Sequence, residues 1–166
     1  MKRLTLVRHA KSDWGDPALE DFERPLNARG ERDAPEMARR CAAAGLKPTL
    51  IVTSPAVLAV ATARALAREV CYPLRRIRHA DEAYLATPGT LLEVVRRNGG
   101  RASHVMLFGH NPGISQFAAR LSGDDDLGEL PTAAVASYRI DLADWSGLEP
   151  GAAERVFHDY PKSGRG

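Results

Sequence analysis

Short apolar runs alternate along the chain with amphipathic stretches. Leu4–Val7 has the composition of a short buried strand, and Arg29–Ala44 that of a helix, ended by Gly45 and followed by Pro48. Leu50–Thr53 is a second predicted strand and Ala56–Val70 an alanine-rich helix. Leu74–His79 reads as a third strand whose pattern is interrupted by arginines. Thr90–Arg97, set between Pro88-Gly89 and Gly99-Gly100, is a predicted helix. Val105–Phe108 is a predicted buried strand and Ile114–Leu121 a helix; Ala133–Ile140 and Arg155–His158 are closing strands with no helix between them.

Strand–helix alternation of this kind predicts an α/β fold with a mostly parallel sheet covered by helices on both faces. The closing strands, joined through Trp145 and Pro150-Gly151, add an antiparallel edge. No repeat or linker interrupts residues 1–166, which are read as one domain. Ala10–Arg29 is a long, turn-rich segment that Trp14 and Phe22 can pin down, and loops of that length are often functional. The Lys162–Gly166 end is expected to fray.

Composition narrows the classes. An apolar fraction of 44%, a charged fraction of 27% and a net charge of +2 fit a globular domain rather than a nucleic-acid binder. The arginine clusters at Arg75, Arg76, Arg78 and at Arg96, Arg97, Arg101 have no interleaved stacking aromatics. No stretch is long enough for a membrane span, and Arg8 ends the first apolar run too early for a signal peptide. Cys41 and Cys71 share no metal or redox spacing, and Cys41 reads as a buried thiol. A cytoplasmic protein is expected. Asp124-Asp125-Asp126 lacks the spacing and the glutamate of a calcium loop and reads as a solvated turn.

In open parallel sheets, ligands bind beyond the carboxyl ends of the strands. Three strands end here in Arg8-His9-Ala10-Lys11-Ser12, Thr53-Ser54-Pro55 and Gly109-His110-Asn111-Pro112-Gly113. Two histidines and an arginine, far apart in sequence, are therefore expected in one crevice. Ser54 and Asn111 read as helix caps, each with a proline for the first helical position, which would turn backbone N–H groups toward an anion. Neutral imidazole is a competent nucleophile near pH 7, so His9 can attack phosphorus. Arg8 offers a planar fork to phosphate oxygens, and His110, if protonated, would stabilise charge on them.

Leu6-Val7-Arg8-His9-Ala10-Lys11-Ser12 resembles the Arg-His-Gly motif of the histidine phosphatase (phosphoglycerate mutase-like) superfamily. Alanine followed by Lys-Ser resembles its short phosphohistidine phosphatase branch, the SixA type. Arg24-Pro25-Leu26-Asn27 with Arg29-Gly30, Thr53-Ser54-Pro55-Ala56, Gly109-His110-Asn111-Pro112-Gly113 and Leu130-Pro131-Thr132-Ala133 are further matches in the family's order. The resemblance implies a phosphoglycerate mutase-like fold and a phosphoric monoester hydrolase or phosphohistidine phosphatase that needs no metal and no organic cofactor. It also implies His9 as the phosphorylated nucleophile, Arg8 and His110 in the phosphate pocket, and a phosphate contact from Ser12; Asn111 is read from its position as a helix cap first and a phosphate contact second.

The sequence departs from the family pattern at two places. Where an arginine usually follows Ser-Pro by three positions, this chain has Leu58; Arg64, about 240° further round the helix, is a poor substitute, and Arg24 or Lys11 could swing in instead. Where the family commonly carries an acid after the tyrosine, this chain has Leu85 after Tyr84; the leaving-group acid that the resemblance implies after the third strand is assigned to Glu82, with Asp81 as the substitute. Arg24 can bind substrate or brace the loop through a pair with Asp21, with bracing slightly favoured. The expected partner is a phosphorylated protein, for instance a histidine-containing phosphotransfer domain, or a small phosphomonoester. Leu58 keeps a second class open, a non-catalytic phosphate- or phosphoprotein-binding module.

Overall fold

The computed structural model describes residues 1–13 and 15–163. Trp14 and the last three residues, 164–166, on which part of the loop and terminus expectations fell, lie outside the described residues. Six strands form one sheet: β1 (Lys2–Arg8), β2 (Leu50–Thr53), β3 (Arg78–His79), β4 (His104–Gly109), β5 (Val135–Ile140) and β6 (Ala153–Asp159). Their order is β3-β2-β4-β1-β5-β6. The first four run parallel, while β5 and β6 pair antiparallel at the edge, as the alternation predicts.

Every residue of β2 and β4 is buried, as expected of strands covered on both faces. Their side chains alternate between two cores. Helices α1 (Ala28–Ala43) and α2 (Val57–Glu69) pack Met37, Cys41 and Leu66 against Val7, Ile51, Met106 and Phe108. Helices α3 (Pro88–Asn98) and α4 (Gly113–Ser122) pack Leu91, Val95 and Phe117 against Leu4, Leu6, Val105 and Leu107 on the other face. Cys41 is fully buried, and burial pushes its thiol up to about 12, so it behaves as a small apolar side chain. Trp145 is also fully buried, with its indole N–H donating to Ala102 O at 2.7 Å.

Two expectations fail. Leu74–Arg76 forms a 3-10 turn rather than strand, so only Arg78–His79 reaches the sheet. Pro73 sets up that turn, and β3 then meets β2 at just two register positions. The helix starts also differ. Helix α2 begins two residues after Pro55 with Ala56 as its cap, and α4 begins at Gly113 with Pro112 as its cap. Neither Ser54 nor Asn111 caps a helix with its side chain; both are used in the site instead.

Glycine is required where α1 and α4 press on the loops around that site. A Cβ on Gly30 would sit 2.2 Å from Lys11 O, and one on Gly113 would sit 1.8 Å from Ala86 O. Asn27 completes the first contact: its side chain accepts from Gly30 N at 2.8 Å and its N–H donates to Lys11 O at 2.9 Å.

Candidate active site

Parallel pairing of β1 with β4 sets Arg8 opposite Gly109, so the next residues beyond the sheet, His9 and His110, stand side by side. Their ring centroids are 5.0 Å apart. The backbone fixes this placement, because His9 N donates to Gly109 O at 3.1 Å and Ala133 N donates to His9 O at 3.0 Å. A cavity of about 200 Å³ opens at this strand end. Arg8, His9, Lys11 and Ser12 line one side and His110, Asn111 and Thr132 another. Asp21 and Arg24 of the long loop, Leu58 of α2, and Tyr84 with Leu85 complete the wall.

Nδ1 of His9 lies 2.7 Å from Ala10 O. A carbonyl only accepts, so the ring proton sits on Nδ1 and Nε2 keeps its lone pair. Burial, with a smaller push from Arg8, holds the His9 pKa down at about 4, against the pull of the Ala10 hydrogen bond. At neutral pH the ring is therefore an uncharged nucleophile. His110 is lowered to about 4 by burial first, then by His9 and Arg8, with Asp21 opposing. It is neutral in the ligand-free protein, which qualifies the expectation of a protonated ring; a dianion bound beside it would favour the charged form.

His110 Nε2 hydrogen-bonds Ser54 Oγ at 2.7 Å, and the same hydroxyl accepts from Ala56 N at 3.3 Å. Ser54 thus ties the end of β2 to the end of β4. The ring of Tyr84 meets His110 edge-on at 5.3 Å. Arg8 donates from Nη1 to Leu130 O at 2.8 Å, and Asn111 Nδ2 donates to the same carbonyl at 3.0 Å. The buried Arg8 Nε–H has no hydrogen-bond partner among the described residues. Leaving such a donor unpaired costs about 1–3 kcal/mol, so the site favours an acceptor placed there.

The structure brings His9, Arg8, His110, Ser12 and Asn111 to one cavity. It does not bring Glu82. The 3-10 turn Asp81–Ala83 buries Ala83 and leaves Asp81 and Glu82 exposed, and Glu82 lines a different depression beside Glu93 and Arg97. The carboxylate in the cavity wall is Asp21. Leu58 is buried with Ala56 and Ala59 and makes that wall apolar, and Arg64 is exposed. Arg24, only 6% exposed, braces the loop: it donates to Asp21 Oδ1 at 3.3 Å and to the carbonyls of Asp13 (3.3 Å), Asp16 (3.1 Å) and Leu19 (2.8 Å). Among the described residues, no group of three or more His, Cys, Asp or Glu side chains is placed to hold a metal ion. No described helix is long and apolar enough to cross a membrane.

The depressed histidines have a consequence for stability. Besides His9 and His110, His104 is held at about 4 by burial above all; its ring meets Thr5 Oγ1 at 2.7 Å. The unfolded chain takes up protons at these sites near pH 6.5, whereas the folded chain does so only near 4. Stability is therefore fully present above about pH 6.5 and falls as pH drops toward 4, by on the order of 2–3 kcal/mol per histidine. Urea unfolding at pH 7.5 and pH 5 checks this: the midpoint is expected to be clearly lower at pH 5, and equal midpoints contradict it.

A family model described as the histidine phosphatase superfamily (branch 1) matches residues 4–87. An uncharacterized protein of Mycobacterium tuberculosis is 32% identical over 169 residues, covering 94% of this chain and 100% of the relative. An uncharacterized chloroplastic protein of Arabidopsis thaliana is 32% identical over 130 residues, covering 74% of this chain and 60% of that one. Among solved structures, the SixA protein of Agrobacterium tumefaciens, provisionally assigned as a phosphohistidine phosphatase, superposes with a TM-score of 0.82 at 28% identity, covering 96% of this chain and 98% of that one. The protein histidine phosphatase SixA complexed with tungstate superposes with a TM-score of 0.78 at 20% identity, covering 96% and 97%, a likeness of fold. The fold is thus the phosphoglycerate mutase-like α/β fold in its SixA form.

Proposed function

This chain belongs to branch 1 of the histidine phosphatase superfamily, and from that membership we propose a metal-free phosphatase in which His9 carries the phosphoryl group, acting on phosphohistidine or another phosphorylated protein side chain. The observation that carries the reading is the state of His9: neutral, its Nδ1 proton held by Ala10 O, its Nε2 lone pair free, 5.0 Å from the ring of His110. In the first step Nε2 attacks phosphorus in line, the P–Nε2 bond forms and the bond to the leaving oxygen or nitrogen breaks. Arg8 supplies its unpartnered Nε–H to a phosphoryl oxygen, and His110 donates to another. Water then breaks the P–Nε2 bond and releases phosphate.

A protein substrate is supported by the surroundings. A groove of about 1030 Å³, lined by Pro88, Pro112, Gln116 and Glu129, shares Arg8 and Asn111 with the His9 cavity. The assignment of the Agrobacterium SixA points the same way. The test is turnover of a phosphorylated histidine-containing phosphotransfer domain against p-nitrophenyl phosphate. The kcat/KM for the domain is expected to exceed that for the small ester by about 100-fold or more, because contacts along the groove add binding energy remote from the reacting bond. Equal or lower values favour a small-molecule phosphomonoesterase. Saturable binding of the domain without phosphate release favours a non-catalytic phosphoprotein-binding module, the reading that Leu58 motivates.

A further inference from the structure

We propose that Phe22, Val57 and Leu85 form an apolar docking lip for the protein that carries the phosphoryl group. The surface it fits is an apolar patch around the phosphorylated side chain, edged by lysine or arginine; this rests on the protein-substrate reading above. Among the described residues, the exposed large apolar side chains are Met1, Phe22, Val57, Leu85 and Val156. Met1 is the first residue and Val156 lies on the edge strand, whereas the other three, 39%, 44% and 55% exposed, gather at the cavity mouth. Leu85 lines the cavity itself, and Phe22 and Val57 each adjoin in sequence a residue that does, Asp21 and Leu58. Tyr84 joins them, meeting Phe22 edge-on at 5.1 Å and packing against the cluster of Ala56, Leu58 and Ala59. The turn that carries Phe22 also packs on α2, which begins at Val57. Leu85 keeps its place with a φ of +49°, a left-handed conformation that is costly for leucine and that persists where function overrides local preference.

Single exposed apolar side chains are ordinary, but a group of them at the mouth of a site marks an interaction surface. The cavity, about 200 Å³, is smaller than the roughly 300–1,000 Å³ of pockets that enclose a whole small ligand. It takes in the phosphoryl group and the tip of its carrier, and the remainder of the substrate lies against the lip. A polyol phosphate would leave hydroxyls facing Phe22 and Leu85 without partners, whereas an apolar protein patch takes both surfaces out of water. Charge defines the edge of the partner. Glu20, Asp21 and Glu23 are exposed on or beside the 3-10 turn that carries Phe22. Burial, then Asp21 and Glu20, push the Tyr84 phenol up, which sets these carboxylates around the central ring of the lip. The cations of the site, Arg8, Lys11 and Arg24, line the cavity instead. A basic edge on the partner is attracted to the lip and an acidic one repelled.

Three chemically phosphorylated peptides test this with the full chain, carrying phosphohistidine between leucine and lysine, between serine and glycine, or between leucine and glutamate. Wild-type kcat/KM is expected to be about 10-fold or more higher for the leucine–lysine peptide than for the serine–glycine one. At low salt it is expected to exceed that for the leucine–glutamate peptide by about threefold or more. Val57→Ser is expected to reduce the first preference by about threefold, and Glu20→Lys combined with Glu23→Lys to reverse the second. Both variants should keep the wild-type kcat/KM for p-nitrophenyl phosphate. Equal values for the three peptides overturn the proposal. So do preferences that these variants leave unmoved, which would put the contacts in the groove of Pro88 and Gln116, or losses shared equally by p-nitrophenyl phosphate. Failure of the wild-type protein to release phosphate from any substrate contradicts the phosphatase reading instead. The same ranking is then read from peptide dissociation constants, and equal constants overturn the lip as well.

Discussion

His9→Ala is expected to remain folded while its turnover of every phosphorylated substrate falls by at least about 10⁴-fold, since the loss removes the atom that bonds phosphorus. No second imidazole can take over. His110 is fixed by its Nε2 contact with Ser54 Oγ, and its ring stands beside His9 rather than in its place. The fold does not depend on the His9 side chain, whose hydrogen bond within the protein goes to the adjacent Ala10 carbonyl. Removing a ring that is held neutral by burial also removes part of the acid sensitivity described above. Steady-state rates alongside thermal unfolding check this. A variant that keeps more than about a hundredth of wild-type kcat contradicts the assignment.

Arg8→Lys is expected to lower kcat/KM by about 10²–10³-fold, although the charge is kept. Nη1 of the guanidinium is pinned to Leu130 O at 2.8 Å, and the buried Nε–H is without a hydrogen-bond partner among the described residues. A lysine ammonium is one point of charge on a flexible stem and cannot fill both positions. It also leaves the Leu130 carbonyl with Asn111 Nδ2 as its remaining side-chain donor. A loss of less than about tenfold would mean that charge alone, and not the fork, matters at this position.

Much of this site was legible because it sits at strand ends. Leu50–Thr53 appears in the structure with the bounds its pattern predicts, framed by Pro48 and by Ser54-Pro55. Val105–Phe108 extends by one residue at each end. Once those strands lie parallel to β1, the convergence of Arg8, His9 and His110 follows from register. Gly45 ends α1 with a φ of +79°, as a glycine stop should.

What remained hidden depends on loops and on contacts without periodicity. Glu82 follows the third strand in sequence, but its turn sends Ala83 into the core and the acid outward. The cavity's carboxylate comes from the Ala10–Arg29 segment, where Asp21 was legible only as a partner for Arg24. Ser54 reads as a helix cap in sequence, whereas its hydroxyl binds a histidine 56 positions away. Tyr84 gave no chemical signal and Thr132 was legible only as part of Leu130-Pro131-Thr132-Ala133; the first is placed at the cavity next to a 3-10 turn and the second by the segment before β5. Leu58 stands in the cavity wall where the family pattern has an arginine, and Arg24 of the loop, in the same wall, is held by Asp21 and by the carbonyls of Asp13, Asp16 and Leu19.

Covalent capture of the phosphoryl group tests the central claim most directly. The wild-type protein and His9→Ala would be mixed with radiolabelled phosphosubstrate, quenched in alkali and mapped by peptide. The label is expected on the peptide containing His9, at no more than one per chain, stable to base, lost in acid and absent from His9→Ala. Label on any other residue, or phosphate release by the wild-type protein with no labelled chain, would contradict it.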